Sequence, residues 1–129
     1  MSRVLSVIVG LMFGAPAWAL TGDAPPAAPW AARPIVMIVD ARDDLCTGTA
    51  ISRDLVLTAA HCVIRRIDYT IKPYQTGVPI PVRAIVRHPQ FDIASYAASR
   101  ATADVALIKL AAPLPDAVIP ASLLSLIHI

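Results

Sequence analysis

The sequence predicts an all-β fold, a single antiparallel β-barrel of about six strands. Three observations point there. Short apolar runs recur at intervals punctuated by turn residues, the pattern of a sandwich or barrel. The chain holds 12 prolines, which disfavour a helical bundle because proline breaks helix interiors. Its 129 residues, 57% hydrophobic and 16% charged, give room for one modest core and are too apolar for a disordered chain. The formal net charge of +2 gives no basis for a nucleic-acid partner.

The first 19 residues read as a secretory signal peptide. Arg3 supplies a positive start, Val4 to Ala15 is apolar apart from Ser6, and Ala17-Trp18-Ala19 has the small-x-small form of a cleavage site. Pro16 ends the run too early for a membrane anchor, which needs about 18 apolar residues. The expected location is therefore secreted or periplasmic, with no membrane anchor after cleavage. Residues 20–34 are rich in alanine and proline and read as an extended leader.

Strands are expected at Ile35–Val39, Thr47–Ser52, Leu55–Thr58, Ile67–Ile71, Val82–Val86 and Asp104–Leu110. Ile67–Ile71 alternates Ile, Tyr and Ile with Asp and Thr, as a half-buried strand should. Asp40–Asp44 and Ser52-Arg53-Asp54 are turns, and Pro73–Pro81 with Gly77 is a loop. Ala97–Ala103 has helical propensity. Leu107, Ile108 and Leu110 are expected in the core. The barrel domain is assigned to residues 35–120.

Chemistry concentrates in Leu55-Val56-Leu57-Thr58-Ala59-Ala60-His61-Cys62. A strand stops at two small residues, which leave space for an imidazole at its end. The other cysteine opens Cys46-Thr47-Gly48-Thr49-Ala50-Ile51-Ser52. Export places both cysteines in an oxidising compartment. A Cys46–Cys62 bridge would pin the backbone beside His61 and stabilise by roughly 3 kcal/mol through loop entropy. Downstream, Asp104 stands at the mouth of the apolar run Val105-Ala106-Leu107-Ile108-Lys109-Leu110.

The Thr-Ala-Ala-His-Cys string, the Cys-Thr-Gly-Thr-Ala-Ile string, His88-Pro89-Gln90-Phe91 and Asp104-Val105-Ala106-Leu107-Ile108-Lys109-Leu110 together resemble the trypsin-like, chymotrypsin-fold serine proteases. They occur in that family's order with near-family spacing, from about Ile35 to Pro120. The resemblance implies the N-terminal barrel of a double-barrel endopeptidase acting on polypeptides, with no cofactor and no metal. It makes His61 the general base and Asp104 the carboxylate that orients it. His before Asp is also the chymotrypsin-type order; subtilisins run Asp before His.

Other readings stand beside these. Asp104 could be a turn residue opening a strand, Asp92 is the second candidate carboxylate, and His88 reads as a turn residue before Pro89. Zinc held by Cys46, His61, Cys62 and His88 does not match paired-ligand spacings. Arg65-Arg66 reads as a solvated turn pair. The sequence also departs from the family. None of Ser2, Ser6, Ser52, Ser95, Ser99, Ser122 and Ser125 stands in a Gly-Asp-Ser-Gly-Gly setting, and Ile35-Val36 continues as Met-Ile rather than Gly-Gly. Residues 121–129 read as a non-family tail resembling translated adapter sequence, and His128 is given no role. The expected function is thus a protease fragment holding base and orienting acid, itself inactive because nucleophile, oxyanion hole and specificity pocket are lacking. The alternative is an inert secreted protease-like binding module.

Overall fold

Six strands close on themselves in the order β1-β2-β3-β6-β5-β4, every pairing antiparallel. They are β1 (Ile35–Asp40), β2 (Leu45–Ala50), β3 (Leu55–Thr58), β4 (Tyr69–Pro73), β5 (Ile80–Arg87) and β6 (Ala106–Leu110). A short helix, α1 (Ile93–Ala97), lies between β5 and β6. The structure is a computed structural model, and it describes residues 28–65, 68–74 and 76–122. The expected signal peptide, most of the leader and the tail from residue 123 onward lie outside the described residues, as does Ile67. Among the described residues, no helix is long and apolar enough to cross a membrane.

Alternation builds the core. Val36 and Ile38 of β1, Val56 of β3, Ile71 of β4 and Ile108 and Leu110 of β6 all point inward and are buried. Leu114 and Val118, beyond β6, are also buried; the Leu114 N–H donates to the Arg53 carbonyl and draws this segment against the barrel. Leu107 is an exception to the expected core stripe. A strand turns successive side chains to opposite faces, so Leu107 points outward between Ala106 and Ile108 and is 37% exposed.

Several boundaries shift for local reasons. β2 starts at Leu45 because Leu45 and Cys46 pair with Val39 and Ile38, and it ends before Ile51, whose N–H donates back to the Leu55 carbonyl in the turn. β6 starts at Ala106, not Asp104: the Asp104 and Val105 N–H groups donate to the carbonyls two residues earlier and leave the ladder. The helix forms one turn earlier than propensity suggests. Asp92 caps it by accepting from the Ala94 and Ser95 N–H groups, and Ser99, at φ 53°, closes the segment. Pro29–Ala32 forms a 3₁₀ turn rather than extended chain.

Gly48 marks the tightest point in the barrel wall. A Cβ there would lie 2.5 Å from Val56 Cγ1, 3.2 Å from the Leu57 carbonyl oxygen and 3.3 Å from Ile38 Cδ1. Val56 is fully buried and β-branched, so it has little room to yield. Gly48→Ala is expected to destabilise by about 1–3 kcal/mol, the usual cost of overpacking. Denaturant unfolding checks this; an unchanged midpoint would contradict the packing described.

Candidate active site

β3 delivers the imidazole. Its last residue, Thr58, is buried and donates its hydroxyl to the Thr47 carbonyl at 2.9 Å, fixing the strand end against β2. Ala59 is extended, and Ala60–Val63 then form a 3₁₀ turn with Ala60 and Val63 buried. His61 lies between these two anchors, its side chain 35% exposed. Cys62 is bonded to Cys46 with a Cα–Cα distance of 6.0 Å, tying the turn to β2.

The segment before β6 brings in the carboxylate. Asp104 Oδ2 lies 2.6 Å from His61 Nδ1, and Asp104 Oδ1 accepts the His61 backbone N–H at 2.8 Å. One carboxylate therefore holds both the main chain and the ring of the same residue, 43 positions away in sequence. A carboxylate accepting from Nδ1–H leaves the proton off Nε2, the tautomer able to take a proton there. Nε2 itself lies 3.6 Å from Cys62 Sγ; a disulfide sulfur has no proton to donate, so it offers no hydrogen bond to an unprotonated Nε2. Among the described residues, no serine hydroxyl bonds the imidazole.

Burial opposes ionisation of Asp104, but other interactions outweigh it. The His61 side chain, the His61 backbone N–H, the positive charge the ring can carry and the Ala60 N–H hold the carboxyl below its usual 3.8. The native value is thus lower than the unfolded one, so this group contributes stability above about pH 4 and loses it as pH falls through the native value. Asp40, Asp54 and Asp92 are lowered as well. Acid titration of stability should show loss below about pH 4, with a smaller loss in Asp104→Asn. An identical acid limb in that variant would show that Asp104 carries no such linkage.

Asp92 is engaged elsewhere, as the cap of α1. His88 is a turn residue: its Nδ1 accepts the Gln90 N–H and its own N–H donates to Val105. Donor atoms of Cys46, His61 and Cys62 lie within 4.8 Å of one another. Both sulfurs are spent in the disulfide, however, so no thiolate remains to ligate a metal. Arg65 is not simply solvated. It bonds Asp40 Oδ2 at 2.8 Å and also Asp44, and Asp40 is buried at the end of β1. Arg66 lies outside the described residues.

Sequence reasoning missed Tyr96. Its ring stacks on the His61 imidazole with centroids 4.7 Å apart and planes 10° apart. The one signal for it is an aromatic residue within an alanine- and serine-rich stretch ahead of Asp104. A cavity of about 150 Å³ opens between His61, the disulfide and Arg65. That is below the roughly 300 Å³ at which small-molecule sites begin.

The trypsin family model matches residues 23–126. A granzyme-like protein of Rattus norvegicus is 38% identical over 77 residues, covering 55% of this chain and 29% of that protein. Among solved structures, neuropsin, a serine protease of mouse brain, superposes with a TM-score of 0.63 at 24% identity, covering 78% of this chain and 47% of its own. Kallikrein-related peptidase 10 gives a TM-score of 0.61 at 24% identity, covering 77% and 46%. At that identity the two structures speak for the fold alone. The chain spans less than half the length of each of these proteins.

Proposed function

Since the chain belongs to the trypsin family of serine proteases, we propose that it supplies the general-base half of an endopeptidase active site. What supports this is the pair of hydrogen bonds from His61, backbone and ring, to the one carboxylate of Asp104. In this reading Nε2 takes the proton of a serine hydroxyl as its oxygen attacks the peptide carbonyl carbon. The same nitrogen then returns that proton to the leaving amine. The Asp104 carboxylate holds the ring in the required tautomer and stabilises the imidazolium between the two transfers. Polypeptides are the substrate class.

The nucleophile, the oxyanion donors and the specificity pocket are assigned to a second barrel. No serine of this chain stands in the Gly-Asp-Ser-Gly-Gly setting. Residues 1–19 are proposed to direct export to a secreted or periplasmic location, and residues 35–120 to form the first barrel; sequencing the amino terminus of exported protein tests cleavage after Ala19. The experiment for the main reading is labelling with a serine-directed phosphonate. The 129-residue chain alone should not label, because triad members act as a unit. Labelling of the chain alone at Ser122 or Ser125, abolished by His61→Ala, would overturn this assignment.

A second reading, an inert binding module, draws on exposed apolar surface. Trp30 is 71% and Ile119 49% exposed; both line a cavity of about 420 Å³ with Pro34 and Pro120. Exposed apolar patches often mark interfaces. A second barrel would cover such surface equally well, so the base-half reading is preferred on the His61–Asp104 geometry.

A further inference from the structure

We propose that Tyr96 is a positioning residue for His61, acting as a clamp on the face of the imidazole while Asp104 holds its edge. This rests on the reading of His61 as the base. Asp104 grips the ring through Nδ1 only. A single hydrogen bond at one edge resists a full turn of the ring but tolerates rocking about χ2, whose energy wells are broad for sp² groups. Tyr96 lies nearly parallel to the ring at 4.7 Å. Any turn about χ2 or swing about χ1 must then break a stacked contact.

The clamp is itself supported. Phe91 packs against the barrel core and meets Tyr96 at 6.4 Å with its plane tilted by 50°. The rings thus form a continuous pile from core to Phe91 to Tyr96 to His61. α1, which carries Tyr96, is anchored at its base: the Asp92 N–H donates to Thr102 Oγ1 at 2.7 Å, and that hydroxyl reaches the Gln90 carbonyl. Thr102 stands two residues before Asp104, and its carbonyl accepts the Asp104 N–H. One arch of chain, residues 88–104, therefore carries both groups that hold the imidazole and ties them to each other.

The test uses proton NMR of the folded chain and needs no nucleophile, so it can fail independently of the protease reading. The carbon-bound imidazole protons of His61 should be shifted upfield by the Tyr96 ring current. Tyr96→Phe should keep that shift, and Tyr96→Leu should lose it. Tyr96→Leu should also raise exchange of the His61 Nδ1 proton with water by about 2- to 10-fold, the scale of one stacked aromatic pair. Tyr96→Phe should stay close to wild type. Phe91→Leu, which does not touch the imidazole, should give an intermediate rise. Unchanged Nδ1 exchange in Tyr96→Leu, or the same rise in Tyr96→Phe, would overturn the positioning role. Absence of the upfield shift in the wild type would remove the stack on which it stands. A failure of His61-dependent phosphonate labelling in the two-barrel protein would instead count against the base reading.

Discussion

Asp104→Asn, introduced into the protein that also carries the nucleophile, should lower kcat by about 10⁴-fold, the loss known for the Ser-His-Asp template of this same family. The geometry here supplies the direction. Asp104 only accepts, so Nδ1 must carry the proton and Nε2 is left free to receive one. An asparagine can present its NH₂ to Nδ1 instead. The ring then carries its proton on Nε2, where it cannot act as a base. KM should change far less than kcat, because the substrate does not contact Asp104 in this reading. Steady-state kinetics checks the split. A kcat within a few-fold of wild type would remove Asp104 from the assignment.

Loss of the Cys46–Cys62 bridge is expected to cost about 3 kcal/mol, from the loop-entropy model for a loop of this size. The bridge spans 16 positions and joins β2 to the 3₁₀ turn that holds His61. A Cys46→Ala/Cys62→Ala double variant should therefore unfold at lower denaturant. A smaller effect, below about 1 kcal/mol, would mean that the turn is held by Val63 and Ala60 packing and not by the cross-link.

Candidate site residues that announce themselves by local strings are legible in the sequence, and the two singled out, His61 and Asp104, are in contact. Thr-Ala-Ala-His-Cys records a strand end, two small residues and an imidazole in consecutive positions. The apolar run behind Asp104 singles it out from Asp92 for a related reason, since a carboxylate at a strand mouth can reach into a neighbouring strand end. Five of the six strands are legible as short apolar runs between turn residues, to within about two residues at each end, the usual limit of boundary assignment; the expected Ile67 start of β4 lies outside the described residues. What stays hidden depends on chain crossing. Tyr96 meets His61 only because the 88–104 arch folds back over the β3 end. Arg65 finds Asp40 and Asp44 only after β1 and the 3₁₀ turn are brought together. Leu107 escapes the core stripe for a simpler reason: three apolar residues in four positions look like one stripe, but a strand has two faces.

The base-half assignment is tested most directly by the rate of serine-directed phosphonate labelling in the chain extended by a natural second barrel. His61 and His61→Ala forms should be compared side by side, with the 129-residue chain as control. Labelling of the extended protein, its loss in His61→Ala and none in the control is the expected result. Equal labelling of the extended protein with and without His61, at equal folding, would contradict the assignment of His61 as the base.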